Sequence, residues 1–171
     1  MNIEVISEIE HFKVLREEWN SLLSKSSSDN VFLTWEWLFS WWSVFGRNNQ
    51  LFILVLREDN GNFKGIAPLY IRKVKILRVI SKFEIRVLGS GSGVSSEYLN
   101  FICLKGKEKD IIDNFLRFLF DEQKRWDIFS LTDISDSCVT MPYLLEAFNK
   151  NRIPYILREQ RPFCPIANLP S

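Results

Sequence analysis

A chain of 171 residues with 46% hydrophobic and 25% charged side chains has the size and composition of one globular domain, covering residues 1–171. Its net charge of +1 gives no overall field for nucleic acid, and no block of five or more like charges supplies a local one, so nucleic-acid binding is not expected. Met1–Val5 is not a basic segment leading into an apolar run, and no stretch of about 18 apolar residues exists, so neither a secretory signal nor a membrane span is expected and the expected location is cytoplasmic.

Ile3–Ile6 alternates as a short first strand. A helix is expected from Ser7 or Glu8 to about Leu23, with Phe12, Leu15, Trp19, Leu22 and Leu23 on one face. It carries His11, the only histidine, which removes most zinc sites and every Ser-His-Asp triad that does not use it. Ser24–Asn30 reads as a polar break.

Thr34 is a candidate N-cap for a helix over Trp35–Phe45, ended by Gly46. Glu36, Ser40 and Ser43 share one narrow stripe of it and the remaining positions are apolar, so it must be covered on two sides. Core packing is the expected use of its rings, with a sugar site or a docking face for another domain as alternatives. Leu51–Leu56 is a continuous apolar run suited to a doubly covered strand. Asp59-Asn60-Gly61-Asn62 signals a hairpin into Phe63–Ile71, in which Pro68 implies a bulge or an edge. Arg72, Lys73, Lys75, Arg78, Lys82 and Arg86 then alternate with aliphatic residues, as either a solvated strand or a basic strip for an anionic substrate.

The stretch Gly89–Tyr98 holds three glycines and four serines between two apolar runs, Arg86–Leu88 and Tyr98–Ile102. A tight hairpin needs only about two to five residues, so a loop this long is a candidate binding loop. Gly91, Ser92, Ser95, Ser96 and Tyr98 are its candidate substrate-binding residues, and Glu97 beside them is a candidate general base. Asp110–Phe120 is an amphipathic helix, Asp127–Thr132 a strand, Met141–Phe148 a helix with Pro142 in its first turn, and Ile153–Leu157 a further strand. Arg161–Ser171 is extended and punctuated by proline. Cys103, Cys138 and Cys164 lack C-x-x-C spacing, which suits a reducing compartment better than a disulfide framework.

Several of these segments match a known pattern in order: Phe32–Leu38 with Trp41-Trp42, Gly65–Tyr70, Val87–Gly91 with Glu97-Tyr98, Trp126-Asp127, and Cys164-Pro165 with Leu169-Pro170. Together they resemble the GNAT N-acetyltransferase superfamily, and more narrowly the first half of the CelD-type and FemAB-like double-GNAT proteins. The resemblance implies an α/β (α+β) fold with a mixed, mostly antiparallel central sheet of six to seven strands flanked by about four helices. It also implies central strands splayed apart to receive a thioester carrier.

The chemistry implied is acetyl transfer from acetyl-CoA, or another acyl-CoA, to an amine, in a protein where a second GNAT-like domain follows this one. A non-catalytic interaction module in cell-envelope polysaccharide biosynthesis is the alternative that the resemblance leaves open. In the superfamily a glycine-rich loop at the start of the long central helix holds the cofactor pyrophosphate on backbone N–H groups. The matching segment here contains Lys105, Gly106 and Lys107 as candidate cofactor-binding residues, but Glu108 and Asp110 put negative charge in the same turn. Family members often carry a tyrosine that protonates the departing thiolate. Phe148 stands in that place here, leaving Tyr143 as the nearest candidate.

Overall fold

The computed structural model describes residues 2–77, 79–91, 96–122, 125–135 and 138–158. The chain runs β1 (Asn2–Ile6), α1 (Ile9–Val14), α2 (Arg16–Leu23), a 3-10 turn (Val31–Leu33), α3 (Trp35–Phe45), β2 (Gln50–Leu51), β3 (Ile53–Arg57), β4 (Phe63–Ala67), β5 (Leu69–Ile76), β6 (Ile80–Val87), β7 (Ile102–Cys103), α4 (Glu108–Asp121), β8 (Ile128–Ser130) and α5 (Met141–Lys150). It is a mixed α+β fold with two four-stranded sheets, ordered β1-β3-β4-β7 and β2-β5-β6-β8. All pairings are antiparallel except the parallel pair β6–β8. Counting β2 with β3 as one strand interrupted at Phe52 gives seven among the described residues, within the expected six to seven.

The apolar run predicted as a doubly covered strand is buried along its whole length from Leu51 to Leu56. Pro68 marks the point where the two sheets part, between β4 and β5. Having no N–H, it takes part through its carbonyl alone, which accepts from Leu88 N at 2.7 Å. Beyond this point β6 pairs with β5, and β7 takes the same side of β4. Leu69 stands opposite Val87 and Ile66 opposite Ile102, so three steps back along β4–β5 meet fifteen steps forward. The glycine-serine stretch is therefore a twelve-residue excursion out of a single strand line. At Gly65 a side chain would overlap Ile111 and stand 3.1 Å from the Phe115 ring, so the missing Cβ lets α4 lie directly on β4.

The aromatic helix packs inward. Thr34 Oγ1 accepts from Trp37 N, Leu38, Trp41 and Trp42 are buried, and Glu36, Ser40 and Ser43 face solvent as their stripe predicted. Trp35 stacks on Phe39 at 4.4 Å, Phe12 lies 5.3 Å from Phe39, and Trp41 lies 5.6 Å from Tyr70.

Three sequence expectations are corrected. The helix over residues 7–23 is two helices, because Leu15 N bonds to Phe12 O in a tightened turn and re-aims the second segment. The strand expected at Tyr98–Ile102 shortens to Ile102–Cys103, since Tyr98 holds a φ of 55° and Asn100, two residues later, is tied by side-chain bonds instead. Ile153–Leu157 forms no strand; Ile153 N bonds back to Phe148 O at 2.9 Å at the end of α5, and Tyr155 rests against Phe148 at 5.8 Å. The tail Arg161–Ser171 lies outside the described residues. No helix among the described residues is long and apolar enough to cross a membrane.

Candidate functional site

The site is built where the loop after β7 enters α4. Lys105, Gly106 and Lys107 are exposed, with Gly106 at a φ of 79°, whereas Glu108 at the first helical position is buried. A helix start leaves backbone N–H groups without helical partners, and this one has no side-chain cap from Lys107. The Glu108 carboxylate fills that role. It accepts from its own N–H, from Gly106 N–H and from the Ser27 hydroxyl at 3.0 Å. Burial pushes this carboxyl up, but the three hydrogen bonds and the nearby Lys105 charge outweigh it and hold the group below its ordinary value. The contact is thus at full strength above the ordinary carboxylate range and is lost only as the pH falls through the lowered value.

Ser27 belongs to the segment read from sequence as a polar break, and that segment is a clamp. Ser26 bridges to Leu104, Lys25 O accepts from Lys105 N at 3.2 Å, and Ser28 Oγ donates to Phe101 O at 3.2 Å. Asn100 Nδ2 donates to Ser28 Oγ at 2.8 Å, while the Asn100 carbonyl oxygen accepts from Thr140, the residue that opens α5. Asn100 therefore ties the end of the glycine-serine loop to both the serine segment and α5. No sequence signal pointed to these serines beyond their number.

The predicted site residues fall into two groups. Tyr143 is half-buried on α5, three residues before Glu146, which is ion-paired with Lys109 in the first turn of α4. It thus joins Lys105, Gly106 and Lys107 at one end of α4. The second group sits on the glycine-serine loop. Ser96 is buried and its hydroxyl accepts from Trp37 Nε1 at 2.8 Å, while Glu97 and Tyr98 are exposed. Asn30 Nδ2 donates to Tyr98 O at 3.2 Å. Gly91 packs beside Arg86, whose guanidinium donates to Ser90 Oγ at 3.2 Å and Thr132 Oγ1 at 2.9 Å. Ser92 and Ser95 lie outside the described residues. Among the described residues no cluster of histidine, cysteine and carboxylate could hold a metal.

Cys103 lies under this loop at the end of β7. Burial first, and then the neighbouring Glu108 carboxylate, push its thiol far above the ordinary range. Its thiolate is therefore unpopulated near neutral pH, and thiolate is the reactive form. Native protein treated with iodoacetamide is expected to show no alkylation at Cys103 by peptide mapping, with labelling appearing only in denaturant. Rapid labelling of the native chain would contradict the buried β7–α4 junction.

No protein-family model matches the chain, and no curated protein matches it in sequence. Solved structures do resemble it. One is aminoglycoside antibiotic 6'-N-acetyltransferase AAC(6')-Ih from Acinetobacter baumannii, at 10% identity over 97% of each chain with a TM-score of 0.49. A second is glucosamine-6-phosphate N-acetyltransferase from Arabidopsis thaliana, at 13% identity over 96% of this chain and 100% of that one, with a TM-score of 0.45. A third is a tetramutant of the BH1408 protein from Bacillus halodurans, at 10% identity over 97% and 100%, with a TM-score of 0.48. At these identities and scores no residue role passes from them to this chain.

Proposed function

We propose that this chain is a domain of N-acyltransferase lineage, GNAT-like, in which the place for the acyl-CoA pyrophosphate is closed by the protein's own Glu108. In this reading it supplies substrate binding and packing to a second GNAT-like domain that carries acetyl transfer to an amine. Support for the lineage comes from the strand line broken between β6 and β7, the sheets parting at Pro68, and β7 and β8 pairing with different partners. Support for a closed cradle is the single observation that carries the proposal: a buried carboxylate stands in the first turn of α4, held by the Ser27 hydroxyl and by the backbone of Gly106 and Glu108. A phosphate needs those same donors and meets a negative charge there.

Calorimetry with acetyl-CoA tests it. The wild-type chain is expected to give no binding heat, and Glu108→Ser, which removes the charge, is expected to gain affinity by at least about tenfold. Low-micromolar binding by the wild-type chain would overturn the proposal. So would thiol release from acetyl-CoA across an amine panel that Tyr143→Phe or Glu97→Gln abolishes, since that would make this half active with Tyr143 as proton donor and Glu97 as base.

A further inference from the structure

Neither the core nor the α4 junction uses the outer half of the β5–β6 hairpin. Past the buried pair Ile71 and Ile85, the ribbon leaves the body of the molecule, and Lys73, Lys75, Ile76, Leu77, Val79, Ile80 and Phe83 are exposed. The register sets Ile76 opposite Ile80, and Leu77 and Val79 close the end at 83% and 81% exposure. Four aliphatic side chains thus converge on one protruding point. Leu77 also holds a φ of 51°, a left-handed conformation in which glycine or asparagine is the ordinary occupant of a hairpin turn. A bulky apolar residue at that position is unfavourable in water on both counts.

The charge around the tip is equally one-sided. Lys82 is paired with Asp127 and Arg72 with Glu84, which secures the ribbon's base. Lys73 and Lys75 have no ion pair among the described residues. In sequence, residues 72–84 hold five cations against Glu84, and counting Asp127, which pairs with Lys82, leaves a net +3 in a chain whose total is +1. An apolar point with a cationic collar fits one partner in particular. Aliphatic side chains enter the acyl boundary of a bilayer while ammonium groups remain among anionic headgroups. A second copy of the chain is a poorer fit, because two tips of the same charge would meet.

We propose that the β5–β6 hairpin tip is a docking element for an anionic membrane surface. The full chain is expected to co-sediment with vesicles of mixed phosphatidylglycerol and phosphatidylcholine at least about tenfold more strongly than with phosphatidylcholine alone, and less so as salt is raised. Leu77→Gly suits the local backbone and should leave the thermal midpoint unchanged or raised, yet lose most of that binding. Lys73→Gln with Lys75→Gln should weaken it too, again with the fold intact. The proposal is overturned by absence of binding to the anionic vesicles, by equal binding to both kinds, or by full binding of Leu77→Gly. A concentration-dependent dimer that Leu77→Gly disperses would also overturn it and assign the tip to a second copy.

Discussion

Trp19→Ala is expected to lower the stability of the fold by about 4 kcal/mol, the middle of the range for emptying a large aromatic site. Trp19 is fully buried, 5.4 Å from the Phe12 ring, and its indole N–H donates to Leu33 O at 2.9 Å. Alanine removes the ring's apolar burial, leaves a cavity that helices on two sides close only in part, and strands the Leu33 carbonyl. Urea titration followed by far-ultraviolet circular dichroism gives the loss directly. Trp19→Phe keeps a buried six-membered ring but loses the rest of the indole with its donor, so a smaller loss of about 2 kcal/mol is expected there. A loss below about 1 kcal/mol for the alanine variant would mean that α2 does not dock as described.

Gly89→Val should cost about 3 kcal/mol, from two separable causes. The residue sits at a φ of 90°, which a β-branched side chain strongly disfavours, and a Cβ would stand 2.7 Å from Ser96 Oγ and 3.2 Å from Leu99. Ser96 cannot retreat freely because it is buried and holds Trp37 Nε1. Gly61→Val separates the causes: its φ is 87° but nothing lies within 4 Å of the added carbon, so only the conformational cost of about 1–2 kcal/mol remains. Equal losses in the two variants would show that the start of the glycine-serine loop is not packed against Ser96. A change in tryptophan emission in the Gly89 variant alone is the accompanying signature, since Trp37 loses its partner.

Local patterns carried most of the architecture. The continuous apolar run at Leu51–Leu56, the Asp59–Asn62 turn, the Thr34 cap and the wheel of Asp110–Phe120 each depend on neighbours a few residues away, so spacing alone exposes them. The helices α3 and α4 and the β3–β4 hairpin follow those signals within a residue or two. Where the reading went astray, spacing alone did not decide. Ile153–Leu157 has the composition of a strand, but its first residue is tied back to the end of α5 by Ile153 N to Phe148 O at 2.9 Å, and no described strand pairs with it. The split at Leu15 left no mark in the spacing, because Phe12 and Trp19, seven residues apart, share one face of an unbroken helix as well.

The candidate site divides along the same line. Composition picked out the glycine-serine stretch, whereas the Lys105–Lys107 turn was a candidate only through the family resemblance. It could not pair Ser27 with Glu108, which stand 81 residues apart, or join Asn100 to Thr140. By itself the amino-acid order determined which segments bury, which turn, and that a negative charge enters the first turn of α4. Only the assembled fold decided that this charge points inward onto its own backbone rather than out to solvent. The physical reason is that a buried carboxylate is tolerable only with donors around it, and one of them, the Ser27 hydroxyl, comes from a segment brought near by the Ser26–Leu104 bridge.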